Sequence, residues 1–175
     1  MKIRAYLVGV PILAVLAAGL ASAQLRKGAD APDFKLTTLD GKEFRLQPLI
    51  SEGKERKAVV VLAFWATWCP PCRAEAPHLQ RIHKDYADKG VAVIGVSLDD
   101  RGAERVKRYV EQCGLKYTIL LDPNGSKAAE KYRVRSIPSL FVLDGKGTIR
   151  AAHVGYSPGS EKELEKEIKQ ILDGK

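Results

Sequence analysis

Cys69 and Cys72 stand two residues apart in the stretch Trp68-Cys69-Pro70-Pro71-Cys72-Arg73, and no other group of side chains in the sequence has so plain a capacity for chemistry. The pair comes after an unbroken apolar run, residues 59–64, that reads as a strand, and it opens a helix-length segment reaching residue 87. A sulfur at such a junction faces the free amide N–H groups and the positive dipole end of the helix, which favour a thiolate. A thiol of pKa about 8.5 is only a few per cent thiolate at pH 7, whereas one lowered to about 7 is half ionised. Cys69 is therefore expected to attack a disulfide. Cys72, one turn further in, is expected to displace it from the mixed disulfide and close an internal bond. Pro70 and Pro71 suit a first helical turn, where their missing N–H groups cost little.

Other uses of the pair fit less well. A zinc site needs two more ligands, and the sequence has no second C-x-x-C. Covalent haem attachment needs His at 73, where Arg73 stands. An inert structural disulfide across two residues would close too small a loop to constrain the unfolded chain much. No cofactor or metal is expected.

The elements around the pair are set by periodicity. Residues 59–64 read as a strand buried on both faces, and residues 91–96 as a second one beyond the helix, so a βαβ unit with parallel strands is expected. Residues 34–39 and 43–46 flank Asp40-Gly41 as an N-terminal hairpin extension. Val106, Tyr109, Val110 and Cys113 recur at helical spacing, which predicts a buried core thiol at 113; residues 118–121 suit a strand and 127–132 a short helix. Residues 140–143 and 148–154 flank Asp144-Gly145-Lys146-Gly147 as a hairpin, and Leu164, Ile168, Ile171 and Leu172 line a closing amphipathic helix. The fold class is α/β, a mixed sheet with helices on both faces. His83 reads as a core or boundary residue, His78 and His153 have no visible partner, Trp65 reads as core and Trp68 as an exposed rim that would help hold an unfolded protein.

With 175 residues, 45% of them apolar and 29% charged, the chain is one ordinary globular domain rather than two, at roughly 100 to 200 residues each. Residues 1–23 differ from the rest. Lys2 and Arg4 precede an uncharged run that ends in Ala21-Ser22-Ala23, the pattern of a cleavable export signal, which leaves 24–175 as the mature domain. An uncleaved anchor is the alternative. Loss of Lys2 and Arg4 lowers the net charge from +8 to +6. The remaining basic residues are interleaved with acids and carry no aromatic partners, so a nucleic-acid ligand is not expected. Export places the cysteines where disulfides persist.

Trp68-Cys69-Pro70-Pro71-Cys72, Pro77 five residues on, and Ser136-Ile137-Pro138-Ser139 just before a strand resemble the thioredoxin-fold oxidoreductases. The opening Ala31-Pro32-Asp33-Phe34 and the segment Val96-Ser97-Leu98-Asp99 make the chain most similar to the TlpA/ResA-like exported branch, related to the AhpC/TSA redoxins. The resemblance implies a thioredoxin-like sheet over most of residues 28–172. It implies that Pro138 is a cis-proline facing the disulfide and that the Ile137 backbone pairs with substrate. Trp68, Pro70, Pro71, Ile137 and Pro138 would then form the substrate-binding rim. From the sequence, Pro138 could equally be a trans strand starter.

The chain departs from the thioredoxin pattern on the strand before the motif. Thioredoxins carry a buried Asp there, where this chain has Ala63. At about 100° per residue, Cys72, Ala76, Leu79, Ile82, His83 and Tyr86 form one stripe, and Glu75 falls inside it beside Cys72. A carboxyl there is expected to be partly buried, raised in pKa and able to exchange the Cys72 proton. The resemblance implies the same, since ResA-like proteins have a functional Glu at the matching position; a first-turn acid that merely favours the helix dipole is the alternative.

The expected function is exchange between protein dithiols and disulfides outside the cytoplasm, in the reducing direction. The resemblance adds apocytochrome c as a candidate substrate, and recharging an exported dithiol implies a membrane thiol reductase as electron donor. A monomer is expected. A disulfide donor on the same motif remains open, because known dithiol couples span about 150 mV. A peroxidase is disfavoured because P-x-x-x-T-x-x-C would need proline at 62 and threonine at 66, where Leu62 and Ala66 stand. A copper carrier using Cys69 and Cys72, with His153 as a candidate third ligand, is the remaining rival.

Overall fold

The computed structural model describes residues 24–51 and 53–174; the expected export signal, 1–23, lies outside the described residues. The elements are β1 (Lys35–Thr38), β2 (Glu43–Arg45), α1 (Gln47–Ile50), β3 (Val59–Trp65), α2 (Pro70–Tyr86), β4 (Val91–Ser97), α3 (Ala103–Gln112), β5 (Thr118–Leu121), α4 (Ala128–Lys131), β6 (Ser139–Asp144), β7 (Ile149–Val154) and α5 (Ser160–Leu172). They build a seven-stranded sheet in the order β2-β1-β5-β4-β3-β6-β7. β3 and β4 are parallel, as the βαβ reading requires, and β6 and β7 are an antiparallel hairpin. β1 pairs antiparallel with both β2 and β5, so the N-terminal hairpin is part of the main sheet rather than an appendage to it.

All seven residues of the central strand β3 are buried, and alternation along it separates two cores. Val59, Val61, Ala63 and Trp65 face α2, Val106 of α3, and Leu164 and Ile168 of α5. Val60, Leu62 and Phe64 face α1, α4 and the N-terminal segment, where Phe64, Tyr132 and Phe141 pack ring against ring. Removing each large apolar side chain from water contributes roughly 1.5–3 kcal/mol. The doubly buried strand is thus a rigid base for the loop at its C-terminal end, which leads directly into Cys69.

One expectation is corrected. Cys113 is exposed, not a core thiol. Helix α3 stops at Gln112; Cys113 caps it, its N–H donating to Tyr109 O at 3.0 Å, and Gly114 comes next with φ +63°. That turn carries Leu115 and Tyr117 into the core in its place. The apolar helical spacing runs one residue past the real helix end.

Candidate active site

Cys69 and Cys72 are joined in a disulfide at the N-terminus of α2. Cys69 is the N-cap in an extended conformation, and Pro70 and Pro71 occupy the first helical positions. With no N–H on either proline, the first amide available to the sulfur is that of Cys72, which donates to Cys69 Sγ at 3.3 Å. The Arg73 N–H closes the first turn on Cys69 O at 3.1 Å. Both cysteines are covered, at 3% and 2% exposure, so exposure does not tell them apart; their places at the helix cap and one turn inside it do.

The loop into Cys69 is anchored by a residue that periodicity did not single out. Asp99, buried just beyond β4, accepts hydrogen bonds from the Thr67 N–H at 2.9 Å, from the Thr67 hydroxyl and from Ser97 Oγ at 2.8 Å. Arg105 of α3 donates to Thr67 Oγ1 at 3.0 Å. The available clue was an acid two residues beyond a buried strand end, level with the cysteine loop. Asp99→Ala leaves the Thr67 and Ser97 groups without their acceptor, so a loss of about 1–3 kcal/mol is expected in a denaturant titration. An unchanged midpoint would mean that water replaces the carboxylate.

Across the sheet, the Ile137–Pro138 bond is cis. Ser139 of β6 lies opposite Phe64 of β3, which brings Pro138 to the same sheet end as the cysteine loop. Pro138 O accepts from the Gly155 N–H at 2.7 Å, and Ile137 packs against the cluster that contains both cysteines. Neither the N–H nor the C=O of Ile137 is hydrogen-bonded among the described residues. Trp68, 54% exposed, and Ile137 line one open groove of about 350 Å³ together with Leu98 and Val134. Of the rim residues named from the sequence, Trp68 and Ile137 thus share one groove, and Pro70 and Pro71 are exposed.

Glu75 is buried in α2 at 7% exposure, one turn from Cys72, while Ala63 sits fully buried beneath. Burial pushes its carboxyl up to about 7, opposed by the positive field of His153. No hydrogen bond reaches that carboxyl among the described residues. It instead lines a cavity of about 270 Å³ shared with His78, His153 and Tyr156. The two histidines that looked unpartnered are engaged. His78 stacks on Tyr156 with ring centroids 5.7 Å apart, and His153 Nε2 lies 2.8 Å from Glu167 Oε2. Tyr156 is remote from His78 in sequence and Glu167 lies on the element after that of His153, so no spacing within one element announces either partner. His83 is half-buried against Tyr117, at the boundary as expected.

A redox-active dithiol at a helix N-cap, at the same sheet end as a cis-proline loop on a mixed α/β sheet, defines the class: a thioredoxin-fold thiol-disulfide oxidoreductase. The comparisons agree. The chain belongs to the AhpC/TSA family, which it matches over residues 27–152. It is 38% identical over 146 residues to the thioredoxin-like protein YneN of Bacillus subtilis, covering 82% of this chain and 79% of that one. It is 33% identical over 148 residues to the thiol-disulfide oxidoreductase ResA of Bacillus anthracis, covering 85% and 80%. Among solved structures, a Chlorobium tepidum chain with the provisional designation thiol:disulfide interchange protein DsbE superposes with a TM-score of 0.76 at 32% identity, covering 85% of this chain and 99% of its own.

Proposed function

We propose that the protein is an exported reductant of protein disulfides, with residues 1–23 as its signal and 24–175 as the working domain, and that it acts as a monomer. The observation that carries this reading is the Cys69–Cys72 disulfide seated at the helix cap with a buried carboxyl, Glu75, one turn behind it. In the reduced protein, Cys69 thiolate attacks a substrate disulfide. A Cys69–substrate bond forms, the substrate S–S bond breaks, and one substrate sulfur leaves as thiolate. Cys72 then gives its proton to the Glu75 carboxylate, and its sulfur attacks Cys69 Sγ. The internal disulfide closes, the second substrate sulfur leaves, and two electrons have passed to the substrate. Trp68, Pro70, Pro71, Ile137 and Pro138 hold the substrate segment, the unpaired Ile137 N–H and C=O supplying an edge for an added strand.

The internal disulfide must be reduced again by a dithiol. For an exported protein the donor is a thiol reductase in the membrane. No helix among the described residues is long and apolar enough to cross one itself. Apocytochrome c, whose haem-binding cysteines must be reduced before haem attaches, is the substrate suggested by the ResA-like character of the chain. No nucleic acid, metal or cofactor enters the cycle.

The direction of electron flow is tested by the reduction potential. A thiolate facing two prolines receives only the Cys72 amide and no cationic side chain from between the cysteines, so its reduced form is not strongly stabilised. Equilibration with glutathione redox buffers is expected to give a value below about −200 mV, on the reducing side of the disulfide-donating couples near −120 mV. A value close to the latter would reverse the assignment and make the protein a disulfide donor.

A further inference from the structure

A buried acid that accepts a proton in each cycle must also lose it, and Glu75 meets solvent only by way of the cavity it lines. Its carboxyl meets the cavity, and the cavity wall includes His153 of β7, which is half-buried and paired through Nε2 with Glu167 of α5. The field of protonated His153 reaches Glu75 and favours its carboxylate form. His78 lines the same cavity, but it stacks on Tyr156, and the acid that feels its field is Glu161.

We infer that His153 is a positioning residue of the exchange reaction, which keeps Glu75 in its ionised form and carries its proton out of the cavity, with Glu167 holding the ring. The inference rests on the proposed role of Glu75 as acceptor of the Cys72 proton. The proton moves without any transfer of electrons. The Cys72 S–H bond breaks and an O–H bond forms on Glu75. That bond then breaks, and an N–H bond forms on Nδ1 of His153, directly or through cavity water, while Nε2–H stays donated to Glu167. Loss of the Nδ1 proton to solvent restores the carboxylate and the neutral ring. Glu167 performs for His153 what an orienting carboxylate does for any general base: it fixes the tautomer and raises the ring's proton affinity.

The charged surroundings act in a definite sense. On the ring, Glu167 pushes its pKa up by a direct hydrogen bond, while Glu75 from α2 and Glu163 from α5 add to the rise and burial opposes it. On the other side of Glu167, Lys27 and Arg150 line the adjoining groove. Glu161, held by the Gly159 N–H, and Tyr156 complete the polar wall of the cavity. Tyr117 shares the field of Glu75 but stays neutral at working pH, since burial pushes it far up. Within this set His153 is the base that lines the cavity with Glu75 and is half-exposed, and the imidazolium formed when it takes the proton holds the Glu75 carboxylate ionised by its field.

The test compares the reduced full-length protein with its His153→Gln form. The pH profile of exchange with a disulfide-bridged peptide is measured in the parent and in a Glu75→Gln background. Gln can still donate to Glu167 but neither titrates nor carries charge. The inflection assigned to Glu75 should move upward by about one pH unit, lowering the rate at pH 7 about fivefold. In the Glu75→Gln background the same substitution should change nothing further. If His153→Gln does not fold by circular dichroism, Glu167→Gln replaces it; loss of that anion lets the ring discharge, and the inflection should move the same way. An unmoved inflection, or an equal loss of rate in the Glu75→Gln background, overturns the inference. If Glu75→Gln removes the inflection while His153→Gln leaves it in place, the role of Glu75 stands and that of His153 falls. If Glu75→Gln alone leaves the profile unaltered, both fall.

Discussion

Cys72→Ser is expected to accumulate as mixed disulfides with substrate proteins, and Cys69→Ser is not. The asymmetry arises from the cap. Cys69 lies at the N-terminus of α2 and receives the Cys72 amide, whereas Cys72 lies one turn inside and reaches only the sulfur beside it. With Cys72 gone, release of the substrate depends on a thiol from solution. An intramolecular thiol has an effective concentration many orders of magnitude higher, so turnover should fall by about 1,000-fold or more. With Cys69 gone, Cys72 lies one turn inside the helix rather than at its cap, and turnover should fall as far without any trapped species. The exposed Cys113 is the internal control, because its replacement by Ser should alter neither trapping nor turnover.

Glu75→Gln should slow exchange and stabilise the protein at once. General acid-base assistance contributes about 100-fold or more, so a rate loss of that order is expected at neutral pH, together with loss of the inflection near pH 7. The stability effect has the opposite sign. Burial raises the Glu75 carboxyl from 4.5 to about 7. Below the unfolded value both states hold the proton and the group costs nothing. As pH rises through the folded value, the unfolded state has released its proton more readily and the fold has lost stability. Gln removes that penalty, so the variant should gain about 1–3 kcal/mol above pH 7 and nothing at pH 4. Denaturant midpoints at the two pH values check this. A variant that is slower and also less stable would mean that the side chain packs rather than titrates; a twofold rate change with an unaltered profile would leave Glu75 as helix-end electrostatics.

The site was legible in the sequence where one element carries it. The doubly buried run of β3, the C-x-x-C at the next helix and the stripe that places Glu75 beside Cys72 all come from local periodicity, and each element forms close to its expected bounds. What stayed hidden is what tertiary contact supplies. Asp99 reaches Thr67 across 32 positions, and the Glu167 partner of His153 lies on a different element. Neither pairing has a spacing that a one-dimensional pattern could reveal. The cysteine at 113 failed for the opposite reason, since a clean helical stripe gave no warning that Gly114 ends the helix first. The N-terminal hairpin was recognised but not its docking, because pairing of β1 with β5 depends on strand order rather than on either strand's own sequence.

The most direct test of dithiol exchange through the helix-cap sulfur is to map the trapped bond. Reduced Cys72→Ser protein is mixed with a disulfide-bridged peptide, quenched with acid, alkylated and digested, and the linked peptides are sequenced by mass spectrometry. Linkage to Cys69, with Cys113 recovered as free alkylated thiol, is the predicted result. Linkage at Cys113, or equal trapping when Cys69 is the residue replaced, would contradict it.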